Sequence, residues 1–225
     1  MLTFCKIAGM RSFCSFFGVF VVASVLQLAG QDAKKPHAAP KPEVGNASTC
    51  GPISDSGFKC ARFGFTYKIP FGWVDRTGDM DESAEDGNPE TKEKGTSETL
   101  LAIFERPPGA PGGTINSAVV IAAESRANYQ GIKTAADYFS PITELAEQGG
   151  FKVVNEPYEF ALGTKQLVRG DFSKERGKLT MWQSSLVMIE KGYIVSFTFV
   201  GGSEDEIEDL AGRLSFGTRP HGQSR

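Results

Sequence analysis

The stretch LTMWQSSLVMIEKGYIVSFTFVGGSEDEIEDLAGRLSF, Leu179 to Phe216, decides the fold. Leu179 to Ile189 is rich in β-branched, aromatic and long apolar residues, and Tyr193 to Val200 more so, as paired strands require. Glu190-Lys191-Gly192 between them is a short glycine-containing hairpin connection. After Gly201-Gly202, Ser203 is followed three residues later by Glu206, a capping box. Ile207, Leu210, Ala211 and Leu214 then recur at i, i+3, i+4 and i+7, so a helix over 203–214 presents one apolar face.

Working outward, Phe63, Phe65, Tyr67 and Ile69 alternate with glycine or polar residues, which predicts a strand with one buried face. Pro70-Phe71-Gly72-Trp73 ends it in a turn carrying two aromatics, with Trp73 read as a core plug. Thr99–Glu105 and Ser117–Glu124 are further strands, separated by the Pro- and Gly-rich loop from Arg106 to Gly113. That loop lacks the Lys-Ser/Thr pair of a phosphate cradle.

Thr134 and Asp137 form a second capping-box-like start, and Ala135, Phe139, Ile142 and Ala146 share a face. This predicts a helix near 134–148, kinked or split at Pro141 and stopped by Gly149-Gly150. Phe151–Tyr158 and Gln166–Phe172 read as strands, and Ser173–Lys178 as a solvated hairpin tip. Strand clusters interrupted by two helices argue an α+β fold: a central, mostly antiparallel sheet with helices packed on it, and cover on both faces.

The 225 residues, 40% hydrophobic, suit one globular domain with processing segments. Lys6 and Arg11 precede an uncharged apolar run from Phe13 to Gly30, the pattern of a secretory signal peptide over 1–30, with cleavage expected before Gln31. Met10 is a second possible start. Left uncleaved, the run is just long enough to anchor the chain in a membrane. Residues 31–49, rich in Pro, Ala and Lys, read as a flexible linker; 50–218 is the domain and 219–225 a tail. The expected location is periplasmic or extracellular.

Losing Lys6 and Arg11 with the signal moves the net charge from −3 to −5, which argues against nucleic-acid binding. Cys5 and Cys14 leave with the same segment, and Cys50 with Cys60 then reads as a disulfide in an exported domain.

Asp75 to Ser97 is a long polar loop with eight acids against Arg76, Lys92 and Lys94. As a calcium loop with Gly87 sixth, it has Glu82 first and Glu93 twelfth, but Ala84 stands third where a ligand belongs. A solvated loop is the primary reading, and calcium binding over 75–97 the alternative. The only histidines, His37 and His221, lie in the expected tails. No G-x-S-x-G elbow, HExxH helix or free thiol marks the mature domain. Glu124 and Asp137 could in principle share acid–base work, but no motif places them together. No catalytic, metal-binding or cofactor-binding residue is expected.

Phe65–Trp73, with its strand followed by Pro-x-Gly-Trp, resembles the opening of PsbP-like domains. Tyr193–Phe199, the helix after it and Leu214-Ser215-Phe216 are similar to that family's ending. The resemblance spans roughly Phe58 to Phe216. It implies an αβα sandwich, a fold shared by an extrinsic photosystem II protein and a Ran-binding nuclear import factor, in binding or accessory proteins without catalysis. Metal contacts in the photosystem protein involve histidine, so no metal role carries over, and nothing here resembles a transit peptide for a chloroplast lumen. The resulting expectation is an exported, non-catalytic accessory domain whose partner is an unidentified protein or envelope component. A membrane-tethered structural domain is the expectation if the N-terminal segment stays attached.

Overall fold

The computed structural model describes residues 49–54, 57–80 and 97–217. The expected signal peptide, most of the linker, the tail and all but the flanks of the acidic loop lie outside these residues.

Among the described residues, ten strands and two complete α-helices follow one another in the order β1 (Phe58–Cys60), β2 (Phe65–Tyr67), β3 (Val74–Asp75), β4 (Ser97–Phe104), β5 (Ala118–Ser125), α1 (Phe139–Gln148), β6 (Lys152–Leu162), β7 (Lys165–Arg176), β8 (Leu179–Glu190), β9 (Tyr193–Gly201), α2 (Glu204–Gly212) and β10 (Leu214–Phe216), and residues 77–80 after β3 are helical too. Seven strands form one antiparallel sheet, ordered β3-β4-β5-β9-β8-β7-β6, and β1-β2-β10 form a second. The fold is α+β, as expected.

The deciding stretch folds as read. Glu190 pairs with Tyr193 across a two-residue loop. Lys191 (φ 51°) and Gly192 (φ 80°) both adopt the left-handed conformation that a type I′ turn demands, which matches the twist of the flanking strands. Ser203 caps α2: its Oγ accepts from the Glu206 N–H at 3.2 Å. Glu206 reaches back one residue further than a standard capping box, accepting from Gly202 N–H at 2.8 Å, and also from the Ser117 hydroxyl. The cap thereby ties α2 to the approach of β5.

Strand alternation sorts the large sheet into two faces. On one, Ile121, Leu186, Val195 and Phe197 meet α2 (Ile207, Leu210, Ala211) and the inner side of the small sheet. Phe65 stands edge-on to Phe197, ring centroids 5.1 Å apart at 80°. Burying a side chain of this size contributes about 1.5–3 kcal/mol. On the other face, Tyr138 and Phe139 at the start of α1 pack on Val187 and Ile194. Gly170 makes that approach possible, because a Cβ there would lie 2.6 Å from the Phe139 ring.

Four expectations need correction. The first helix begins at Phe139, not near 134; Thr134 and Asp137 close a hydrogen-bonded turn instead, with Asp137 Oδ2 accepting from Lys133 and Thr134 N–H. Pro141 causes neither kink nor break, because it is the third residue of the helix, where no intrahelical N–H partner is lost. The second helix ends at Gly212, and Leu214 belongs to β10, where it pairs with Tyr67. The opening strand is interrupted: Ala61–Gly64 form a turn, and Phe58–Cys60 before it is a strand of its own.

At the far edge, β6 carries two register shifts and Pro157, which has no N–H to offer a neighbour.

Candidate binding surface

Cys50 and Cys60 are joined in a disulfide. The bond and the Gly51 N–H to Lys59 C=O hydrogen bond at 2.8 Å lay the chain after Cys50 alongside β1. Ser54 and Gly57 close it on themselves through paired backbone bonds of 3.2 and 3.1 Å. Gly57 has a steric reason to be glycine: a Cβ would meet the Tyr67 carbonyl oxygen at 2.9 Å, so this wall rests directly on β2. Between the wall and the outer face of the small sheet runs a trough of about 650 Å³.

Lys59 and Thr66 line the floor of the trough, and strand register sets Ser215 next to them, outside the lining. Lys59, Thr66 and Ser215 lie side by side on β1, β2 and β10, all facing away from the core. Thr66 and Ser215 share a hydroxyl–hydroxyl bond of 2.6 Å. Whichever donates, the other hydroxyl keeps a proton to direct outward. Lys59 and Lys68 are exposed and line the trough, and no acid does so among the described residues. Asp55 and Ser56 lie outside the described residues.

Three residues past Lys68, Phe71 is fully exposed. Trp73 N–H reaches Pro70 C=O at 3.4 Å, and Gly72 (φ +81°) supplies the positive φ required at the third position of a type II turn. The turn therefore holds an aromatic ring out into solvent, while Trp73 behind it packs on the core. Leaving a phenylalanine in water forgoes about 1.5–3 kcal/mol of burial.

A second polar group lies inside the fold. Arg169 and Asp171 on β7 are both buried, on the face that meets α2. Asp171 accepts from Arg169 Nε at 2.8 Å, Asn155 Nδ2 at 3.1 Å and the Tyr158 hydroxyl at 3.3 Å. Arg169 also donates to Glu208 at 2.5 Å, and its guanidinium stands over the Phe160 ring. Burial would lower the Arg169 pKa, but hydrogen bonds to Glu208 and Asp171 outweigh it and hold the guanidinium above its ordinary value. Burial raises the Tyr158 pKa. The group borders a small cavity of about 120 Å³ with Trp182 and Ile207 in its walls. Three donors already converge on the Asp171 carboxylate, an arrangement that braces strands rather than abstracts protons.

Glu124, at the end of β5, receives the hydroxyls of Tyr129 and, at 2.8 Å, Tyr138. Burial first, then the bond to Glu124, raises the Tyr129 pKa to about 12. The structure thus gives Glu124 two tyrosines as partners, and occupies Asp137 with backbone N–H groups. At the described start of the acidic loop, Asp75 accepts from Thr77 N–H and hydroxyl, while Asp79 pairs with Arg76. Among the described residues no three His, Cys, Asp or Glu side chains converge as a metal site would need. No helix among them is long and apolar enough to cross a membrane.

Sequence reading passed over both the trough and the buried pair. Arg169 and Asp171 did leave a signal: two opposite charges at i, i+2, on one strand face, inside an otherwise apolar run.

No protein-family profile matches this chain, and no curated protein does. Solved structures similar to it include the cyanobacterial PsbP of Synechocystis sp. PCC 6803, with 13% identity and TM-score 0.43, covering 80% of this chain and 98% of that one. The Ran-binding protein Mog1p of Saccharomyces cerevisiae shows 12% identity and TM-score 0.36, with 66% and 77% covered. LpqN of Mycobacterium tuberculosis, described as involved in cell envelope biogenesis, shows 11% identity and TM-score 0.35, with 67% and 82% covered. The first two are of the kinds that the sequence resemblance named.

Proposed function

We propose that this chain is an exported, non-catalytic accessory domain that docks on a partner in the cell envelope, in the periplasm or outside the cell. The observation that carries the reading is Phe71, an aromatic side chain displayed on a fixed turn instead of buried. Exposed aromatics beside a polar rim are the usual anchors of protein interfaces, where a few such residues supply most of the binding energy. The basic and apolar N-terminal segment and the Cys50–Cys60 bond support export. The Arg169–Asp171 and Glu124–tyrosine groups support a binding role, because their side chains are occupied with one another.

The test is a photo-crosslinking amino acid placed at position 71 of the full chain in its native host. A discrete adduct to one envelope component, absent when the reactive residue sits at exposed Lys178, is the expected result. No adduct in the intact envelope, or turnover of a substrate by the purified chain, would overturn the reading.

A further inference from the structure

We propose that the trough beside the disulfide wall takes an extended acidic peptide segment of the docking partner. The inference rests on the accessory-domain reading and adds to it the chemistry of what is bound.

Charge points to an acidic ligand. Acids outnumber bases 27 to 24 in the whole chain, yet the described lining of the trough holds Lys59 and Lys68 and no carboxylate. A cationic strip on an acidic protein is a local arrangement that favours anionic partners.

Spacing points to a chain of carboxylates, not one compact anion. Lys59 is opposite Thr66, and Lys68 lies two residues further along the same face, a diagonal of about 7–8 Å between strands. Side chains i and i+2 of an extended peptide recur at nearly that distance, about 6.5–7 Å. The lining offers neither an arginine fork nor a helix N-terminus, the two devices best suited to a phosphate. Beside the lysines, Thr66 also lines the trough, and with the Ser215 hydroxyl donating to it the Thr66 proton is left for a carboxylate or peptide oxygen.

The wall is preformed. The disulfide, the Gly51–Lys59 bond and the Gly57 contact with β2 hold it without help from a ligand, which lowers the ordering cost of binding. Phe71 follows Lys68 by three residues in the chain and is exposed, so an acidic stretch followed by an apolar residue is the expected recognition pattern.

The test uses fluorescein-labelled hexaglutamate, followed by polarisation against the purified, oxidised chain at low salt, with hexalysine as control. Saturable hexaglutamate binding is expected, weakened about tenfold or more in the Lys59→Glu/Lys68→Glu variant, since ion pairs supply the attraction. Lys59→Ala/Lys68→Ala, which adds no new repulsion, should weaken it less. Raising the salt from about 0.02 to about 0.3 M should weaken it too. No saturable binding up to about 1 mM, or binding unchanged by either double variant, would overturn the proposal. If position 71 still crosslinks to an envelope component while hexaglutamate neither binds nor displaces it, the trough assignment fails and the accessory reading stands. If hexaglutamate binds as described and no crosslink forms, the accessory reading fails and the acidic specificity of the trough stands.

Discussion

Asp171→Ala removes the only buried carboxylate beside Arg169 among the described residues. The guanidinium would then stay buried with Glu208 as its remaining ionic partner, and the Glu208 side chain is 60% exposed. An ion pair that open to water contributes no more than about 1 kcal/mol, so it cannot replace Asp171. Breaking a buried pair by deleting one member costs about 3–5 kcal/mol, whereas Asn155 and Tyr158, which also donate to Asp171, are exposed and turn to water in either variant. We expect a loss of that size. The double variant Arg169→Met/Asp171→Leu removes both charges, and Phe160, Trp182 and Ile207 offer apolar neighbours for the new side chains. It should fall within about 1 kcal/mol of the parent, because desolvating two charges offsets most of what their attraction supplies. Urea unfolding of the oxidised protein, followed by tryptophan fluorescence, measures both, and Trp182 lines the cavity concerned. A single variant costing under about 1 kcal/mol, or a double variant as damaging as the single, would refute the reasoning.

Gly170→Ala should destabilise by about 1–3 kcal/mol, because the added carbon displaces the Phe139 ring; hydrogen exchange should rise first in Phe139–Gln148. Ser184→Ala should be neutral or stabilise by up to about 1 kcal/mol in the same urea assay. The Ser184 hydroxyl is fully buried without a hydrogen-bond partner among the described residues, and its removal ends a desolvation cost. Alkaline stability should depend on Tyr129. Below pH 10 folded and unfolded chains both keep its phenol proton, so its contribution is complete. Between the ordinary value of 10 and the folded value of about 12 only the unfolded chain ionises, so stability falls as pH rises. Tyr129→Phe should flatten that decline in urea midpoints measured from about pH 8 to 11.5.

How much was legible depended on how local each determinant is. The β8–β9 hairpin and α2 could be read because their periodicity, turn glycine and cap lie within neighbouring residues. The start of α1 was misplaced because Thr134 and Asp137 make the hydrogen bonds of a cap while the chain waits until Phe139 to coil. Phe139, where the helix begins, is seated over Gly170, a contact with β7 that no local pattern encodes. The trough is lined by residues 49–68 alone, so strand pairing and not distance along the chain kept it out of sight. Nothing in the letters of β1, β2 and β10 says that Lys59, Thr66 and Ser215 share a row. Phe71 and Trp73 sit in one turn and look alike in sequence. Only packing separates the ring that plugs the core from the ring that faces solvent.

The pairing of β2 with β10 sets the order in which this protein can be finished. Phe65 is opposite Phe216, about 150 residues later, and the small sheet has no third strand until that residue arrives. Closing so long a loop is a slow step that follows the local hairpins. For a chain threaded across a membrane N-terminus first, the cysteine-bearing opening would emerge long before its sheet could close. Cys50 and Cys60, only ten residues apart, need not wait for that partner to meet. In a chain so threaded, the disulfide would form early and keep the wall folded back while the rest was still in transit.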